Sequence, residues 1–398
     1  MAIRLRDWIR QRNLIAGMVL ALAILDHTRL FFHCWNTPPV DMTKPDLALF
    51  FTRFSAHFFA PAAFLLTGIE LYIKGRQRSK AQNAGVWIRN GLLLILTEAG
   101  INNFLYTFDP YYRTLGLYII GITGLSMILL AILQYLPLRW LVGIALLVIA
   151  GHDCLDKLTA TGHSAGAIAW YILHQQKYLL SGDRLYTINY TLLPWSALLC
   201  LAYTLGHYIC HTPAKTIRKK AMRMGMLLCL VFLALRTANL YGDKTPWTPQ
   251  DTWSGTLISF FNVTKYPASL DYLCITTGPL LILFAFTLKA SSARPFRFFS
   301  VLGRQPLMVY LVSTLIIHLA AMPAVMMQGK PWQAMIITAA SYKPGNVLQG
   351  YGFPLAGVYG IWTLMLLVQY ALCSIASALS GHKQQQRTAV TATTAITT

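Results

Sequence analysis

The chain has 398 residues, 56% apolar and 12% charged, with a mean hydropathy of +0.50, whereas a soluble domain carries roughly 25% charged residues; a water-soluble fold is excluded. A formal charge of +20 would suit nucleic acid in a soluble protein. Here the cations cluster in short loops between apolar runs, which is the pattern of membrane topology, so the lipid bilayer is the expected partner and nucleic acid is not.

Apolar runs between charge clusters predict about ten spans, near 13–32, 47–73, 85–106, 114–136, 139–152, 187–209, 221–241, 267–289, 299–322 and 352–378, near the length that crosses the hydrocarbon layer except the fifth, which is short. The expected fold is therefore an all-α, polytopic helical bundle. One set of loops carries Lys74, Arg76, Arg78, Lys80 and Arg89, then Arg139, then Lys215, Arg218, Lys219, Lys220 and Arg223, then Lys289, Arg294, Arg297 and Arg304. Those loops face the cytoplasm by the positive-inside rule, and an even number of spans puts both termini there. The first run, preceded by Arg4, Arg6, Arg10 and Arg12, lacks a small-residue cleavage site and reads as a retained anchor. Residues 1–381 form one transmembrane domain, and the Gln-, Thr- and Ala-rich 382–398 reads as a disordered tail. The seven cysteines include no C-x-x-C pair, so neither a metal site nor a disulfide framework is expected.

An ionisable group inside a bilayer costs at least about 2.5–3.5 kcal/mol, so each one asks for a partner or a function. In chain order, span one holds Asp26, His27 and Arg29 in its outer half and His33 at its exit. Span two carries Arg53 and His57, one turn apart on one face. Span three adds Glu98, Asn102 and Asn103, and span five ends at His152 with Asp156 four residues on. Span seven ends with Arg236 and Asn239, followed by Tyr241 and Asp243; Lys265 and Tyr266 precede span eight with its Asp271; span nine brings His318. All fall at the outer level, while the inner halves are nearly uncharged apart from Glu70. The simplest reading is a wet, outward-facing cavity, although a single pair such as Asp26 with Arg53 could be purely structural.

Histidine titrates near neutrality, which makes His27, His33, His57, His152 and His318 the natural proton handlers. His27, His33 or His57 is the candidate base, with Asp26 or Glu98 to orient it. Arg29, Arg53, Arg236 and Lys265 are the candidate cationic donors, and Asn102, His152, Asp156, Asn239, Asp243, Tyr266 and His318 complete the candidate substrate surface. His163, His174, His207 and His211 lie in loops or at helix ends and read as interfacial hydrogen-bonding residues. A transporter or flippase for a glycan, lipid or small anion would use the same cavity without covalent chemistry, but no internal repeat points to one. The oligomeric state stays open.

The residues also resemble a known family. Leu25-Asp26-His27-Thr28-Arg29 with Phe31-Phe32-His33, Ala48 to Pro61 (ALFFTRFSAHFFAP), Gly91 to Glu98 (GLLLILTE), Gly121 to Leu130 (GITGLSMILL) and Gly151 to Asp156 (GHDCLD) come first. Leu193-Pro194-Trp195, Arg236 to Asp243 (RTANLYGD), Lys265 to Leu270 (KYPASL), Leu302 to Pro306 (LGRQP) with Tyr310, and Tyr351-Gly352 with Tyr359 follow. In this order, over nearly the whole chain, they resemble the bacterial heparan-α-glucosaminide N-acetyltransferase-like membrane family, part of a wider transmembrane acyltransferase group. The resemblance implies a multi-pass protein of the bacterial inner membrane. It would take an acetyl group from acetyl-CoA and pass it to a saccharide or glycolipid amine or hydroxyl, with a histidine central to transfer and no metal. The chain departs from the family at Arg12-Asn13, where the family's acid and Arg-Gly pair are missing, and at Ser313, which stands where a histidine is expected.

Overall fold

A computed structural model describes residues 5–394 other than 36, 39 and 291–295. Arg4, Arg294 and the end of the tail, 395–398, lie outside the described residues. Among those described, nine helices are long and apolar enough to cross a membrane. They include α1 (Leu5–Phe32), α2 (Leu47–Ser55) running on into α3 (Phe59–Gly75), and α4 (Lys80–Leu96) running on into α5 (Asn103–Thr107). The helix α6 (Ile119–Leu133) is shorter, at 15 residues or roughly 22 Å. Beyond it come α7 (Leu138–Gly151), the outer α8 (Ala165–Leu173), α9 (Leu192–His211), α10 (Ala214–Ala238), the short α11 (Trp253–Phe261), α12 (Leu270–Ala290), the short α13 (Phe296–Leu302), α14 (Pro306–Met327) and α15 (Leu355–Thr394).

Local chemistry sets many of these ends. Asp46 caps α2 by accepting from the Leu49 amide, and Ser79 and Gln82 form a reciprocal box at the start of α4. Phe108 and Asn239 close α5 and α10 in the left-handed conformation. Pro61 has no N–H to give the carbonyl four residues back, so the chain loosens at Ala56–Phe58 and the His57 carbonyl is free to accept the Tyr272 hydroxyl at 2.8 Å.

The helix α1 is the axle of the bundle. Its apolar window is 72% buried against 11% for α15, and it contacts α3, α12, α13, α14 and α15. Contact with α13 is backbone to backbone, because a Cβ on Gly17 would lie 1.8 Å from the Phe299 carbonyl oxygen and one on Gly303 1.9 Å from that of Asn13. The same device joins α4 to α6 through Gly91 and Gly124. Arg12, Glu70, Lys74 and the Arg304 backbone meet at one end of the bundle, and His33 pairs with Phe353 at the other.

Three expectations change. Residues 114–117, assigned to span four, form strand β1 (Thr114–Leu117), which pairs in parallel with β3 (Arg184–Ile188), itself antiparallel to β2 (Lys177–Ser181). Gly182, with φ 60°, turns the two-residue hairpin, so the fold is helical with a small sheet. Span nine is two helices, α13 and α14, broken at Gly303 to Gln305. The tail from 382 continues α15 to Thr394, since Lys, Gln, Arg and Ala propagate a helix that is already nucleated.

Candidate functional site

The outer half of α1 presents Asp26 and His27 on adjoining faces. On the His27 side, α14 contributes Tyr310 and Thr314, one turn apart, and α5 contributes Tyr106. Tyr106 Oη lies 2.5 Å from His27 Nε2 and 3.2 Å from Tyr310 Oη, and Thr314 Oγ1 lies 3.1 Å from His27 Nδ1 and 2.9 Å from the Tyr310 carbonyl oxygen. One proton assignment turns all four contacts into hydrogen bonds. Thr314 donates to the Tyr310 carbonyl, as helical threonines do, so it accepts from His27 Nδ1–H. Nε2 is then the acceptor for Tyr106, which accepts in turn from Tyr310. His27 is thereby held in the tautomer whose Nε2 can draw a proton along a row of two tyrosines.

Tyr310 also closes a cavity of about 190 Å³ between α1, α3, α4, α6 and α14. Its inner end is the Arg12–Glu70 pair, both carboxylate oxygens accepting from Arg12 Nη1 at 3.0 and 3.1 Å. Its walls are apolar, with Leu20 and Ile120 among them, except for Thr67 and Thr123. Phe59 lies parallel to the Tyr310 ring at 5.5 Å, fixing that end of the slot.

On the other side of α1, Asp26 accepts from Arg29 at 3.0 Å and has Arg53 Nη1 at 3.6 Å. That Arg53 nitrogen is buried without a hydrogen-bond partner. Lys265 lies over the rings of Tyr190 and Tyr266, 5.7 and 5.4 Å from their centroids, and within electrostatic reach of Asp26, His27, Arg53 and His57. Burial pushes the Lys265 ammonium below the usual lysine range. The His57 ring sits between Phe54 and Tyr272, at 5.1 and 5.2 Å, with Nδ1 buried and unbonded.

Asp26, His27, Arg29, Arg53, His57, Lys265 and Tyr266 thus come together as expected, but other expected members have different partners. Neither carboxylate orients a histidine through a hydrogen bond: Asp26 serves the two arginines, and Glu98 accepts from Asn102 at 2.5 Å and from the Gly121 amide at 2.9 Å, tying α4 to the start of α6. Asn103 belongs to the same joint, exchanging hydrogen bonds with the Gly116 backbone of β1. His33 stands past the end of α1, bridged to Phe353. His152 lies beside Asp153 and His174, and Asp156 bonds the buried His174 at 3.0 Å, so these residues form a separate cluster. Arg236 bonds four backbone carbonyls, Asn239 pairs with Trp247, and Asp243 holds Thr264 and Ser269, so these three pin the 242–266 loop. His318 is fixed between Phe31 and Phe108, with both ring nitrogens 2.8 Å from carbonyl oxygens.

Tyr106, Tyr310 and Thr314 were missed because uncharged side chains raise no insertion cost. The available signal was the i, i+4 spacing of Tyr310 and Thr314 on one helix face. Among the described residues, no group of three or more His, Cys, Asp and Glu side chains is arranged to hold a metal ion. No protein-family model matches this chain, and no curated protein matches it significantly.

Proposed function

We propose that this protein is an acyltransferase of the bacterial inner membrane that moves an acetyl group from acetyl-CoA to a saccharide or glycolipid amine or hydroxyl, with His27 as the base. In this reading the chain spans the membrane ten times with both termini in the cytoplasm, α6 being the short span. The observation that carries the reading is that the slot from Arg12 and Glu70 ends at Tyr310, whose hydroxyl is two hydrogen bonds from His27 Nε2.

The donor is cytosolic and the polar cluster is near the outer surface, so the chemistry needs a route between them. The slot supplies one of suitable character: an apolar passage for a thin, flexible arm, two threonine hydroxyls for its amides, and an arginine at the basic end for its phosphates. As the acceptor nitrogen or oxygen attacks the thioester carbonyl, its proton passes by way of Tyr106 to His27 Nε2. The new C–N or C–O bond forms, the C–S bond breaks, and the proton returns to the thiolate sulfur.

The test is purified full-length protein in nanodiscs with radiolabelled acetyl-CoA and a panel of amino sugars and glycolipids. Transfer is expected, reduced by about 10²–10⁴-fold in His27→Ala with unchanged thermal unfolding. His27→Ala at the wild-type rate would remove the base. No transfer to any acceptor, together with glycan uptake into vesicles, would replace transfer with transport.

A further inference from the structure

We propose that the cationic cluster of Arg53 and Lys265 binds a phosphate monoester, which deepens the acyl-transfer reading by naming the acidic group of its acceptor. Three cations, Arg29, Arg53 and Lys265, share one carboxylate, that of Asp26. Among the described residues, no carboxylate stands within ion-pairing distance of Lys265. An excess of two positive charges on partly buried side chains costs free energy that a dianion would offset. A phosphate monoester carries close to two charges near neutral pH, whereas a carboxylate would leave one cation uncompensated.

The donor geometry agrees. Arg53 Nη1 is buried and makes no hydrogen bond, its nearest carboxylate oxygen being that of Asp26 at 3.6 Å, and an incoming oxygen would complete it. Without a ligand, the Tyr266 hydroxyl stands in as the partner of Lys265. Burial pushes that hydroxyl up, yet Lys265 and Arg53 together bring it below the usual tyrosine range. Tyr190, Tyr266 and Tyr272 form an aromatic wall beside the cations, with Tyr190 and Tyr266 edge to face at 5.2 Å. Such rings suit the apolar face of a sugar. Asp26 and His27 are consecutive on α1, so the phosphate would sit one helix face away from the proposed base.

Phosphate monoesters come from soluble sugar phosphates and from lipid headgroups, and the chemistry at Arg53 and Lys265 is the same for both. Calorimetry on the full chain in phosphatidylcholine nanodiscs should show glucose 6-phosphate binding and glucose not binding. Affinity should fall at least about tenfold in Arg53→Gln and in Lys265→Gln, and Arg53→Lys should recover part of it. Lys265→Gln breaks no ion pair among the described residues, so it keeps the test valid if Arg53→Gln misfolds. Repeating the titration in nanodiscs containing phosphatidic acid separates the sources: loss of glucose 6-phosphate binding there assigns a lipid headgroup, and unchanged binding assigns a soluble ester. Should glucose bind as well as its phosphate, or should both variants bind like the wild type, the pocket is overturned. Phosphate binding without acetyl transfer would keep the pocket and remove the enzyme, and transfer to neutral saccharides alone would do the reverse.

Discussion

Arg236 is buried and Arg53 half-buried, and the protein surrounds them differently. Arg236 gives hydrogen bonds to the carbonyls of Thr245, Ser259, Phe260 and Asn262 at 2.8–3.1 Å, with Asp271 at 3.8 Å. Arg53 has one long ion pair, made through an Nη1 that forms no hydrogen bond. A buried guanidinium that has used its donors on backbone is holding a loop in place, whereas one left incomplete is held ready for something that arrives. Depth and charge therefore do not separate architecture from chemistry; the count of satisfied donors does.

The same substitution at both positions tests this most severely. Arg236→Gln should cost about 3–5 kcal/mol of stability, since it strands buried carbonyls and Asp271 together, measured as unfolding in detergent. Arg53→Gln should cost about 1 kcal/mol, because Asp26 keeps Arg29. Equal losses at the two sites would erase the distinction. The smallest effect lies outside the bundle, at Asp109. Burial pushes this carboxyl up, but the Arg113 side chain and neighbouring backbone N–H groups bring it below the ordinary 3.8. A carboxyl depressed in the folded state stabilises above its unfolded value, and that contribution disappears as the pH falls through the folded value. Between pH 5 and 2, as an acid titration window, Asp109→Asn should flatten the loss of stability by under about 1 kcal/mol, given the exposure of Arg113. An unchanged acid limb would mean that the pair contributes nothing.

Much of the bundle was legible because a span writes itself as a long apolar run, and the outer polar residues stood out by their insertion cost. The Asp26–Arg53 pair is the clearest case: both residues lie in the outer halves of neighbouring spans, and they meet. Cost alone could not sort that set. Arg236, Glu98, Asp243 and His318 are as polar as Arg53 and His27, yet their partners are backbone groups or amides whose positions depend on loop paths and helix packing. The sheet had a readable signal in the Gly182-Asp183 turn between two short β-prone segments, but its parallel strand at 114–117 was hidden inside an apolar run. The tyrosine row was hidden for a related reason. Tyr106 follows a π-helical stretch at Thr97–Asn102, and such a wide turn offsets the helix beyond it, so a strict 3.6-residue reading does not show which way Tyr106 faces.

The threonine behind His27 has a further consequence. The single proton of Thr314 is committed to the Tyr310 carbonyl, which Ser313 also occupies, so nothing behind the imidazole can take a proton onward. His27 is then the end of a cul-de-sac rather than a link in a wire. Whatever proton reaches that ring must leave by the nitrogen through which it came.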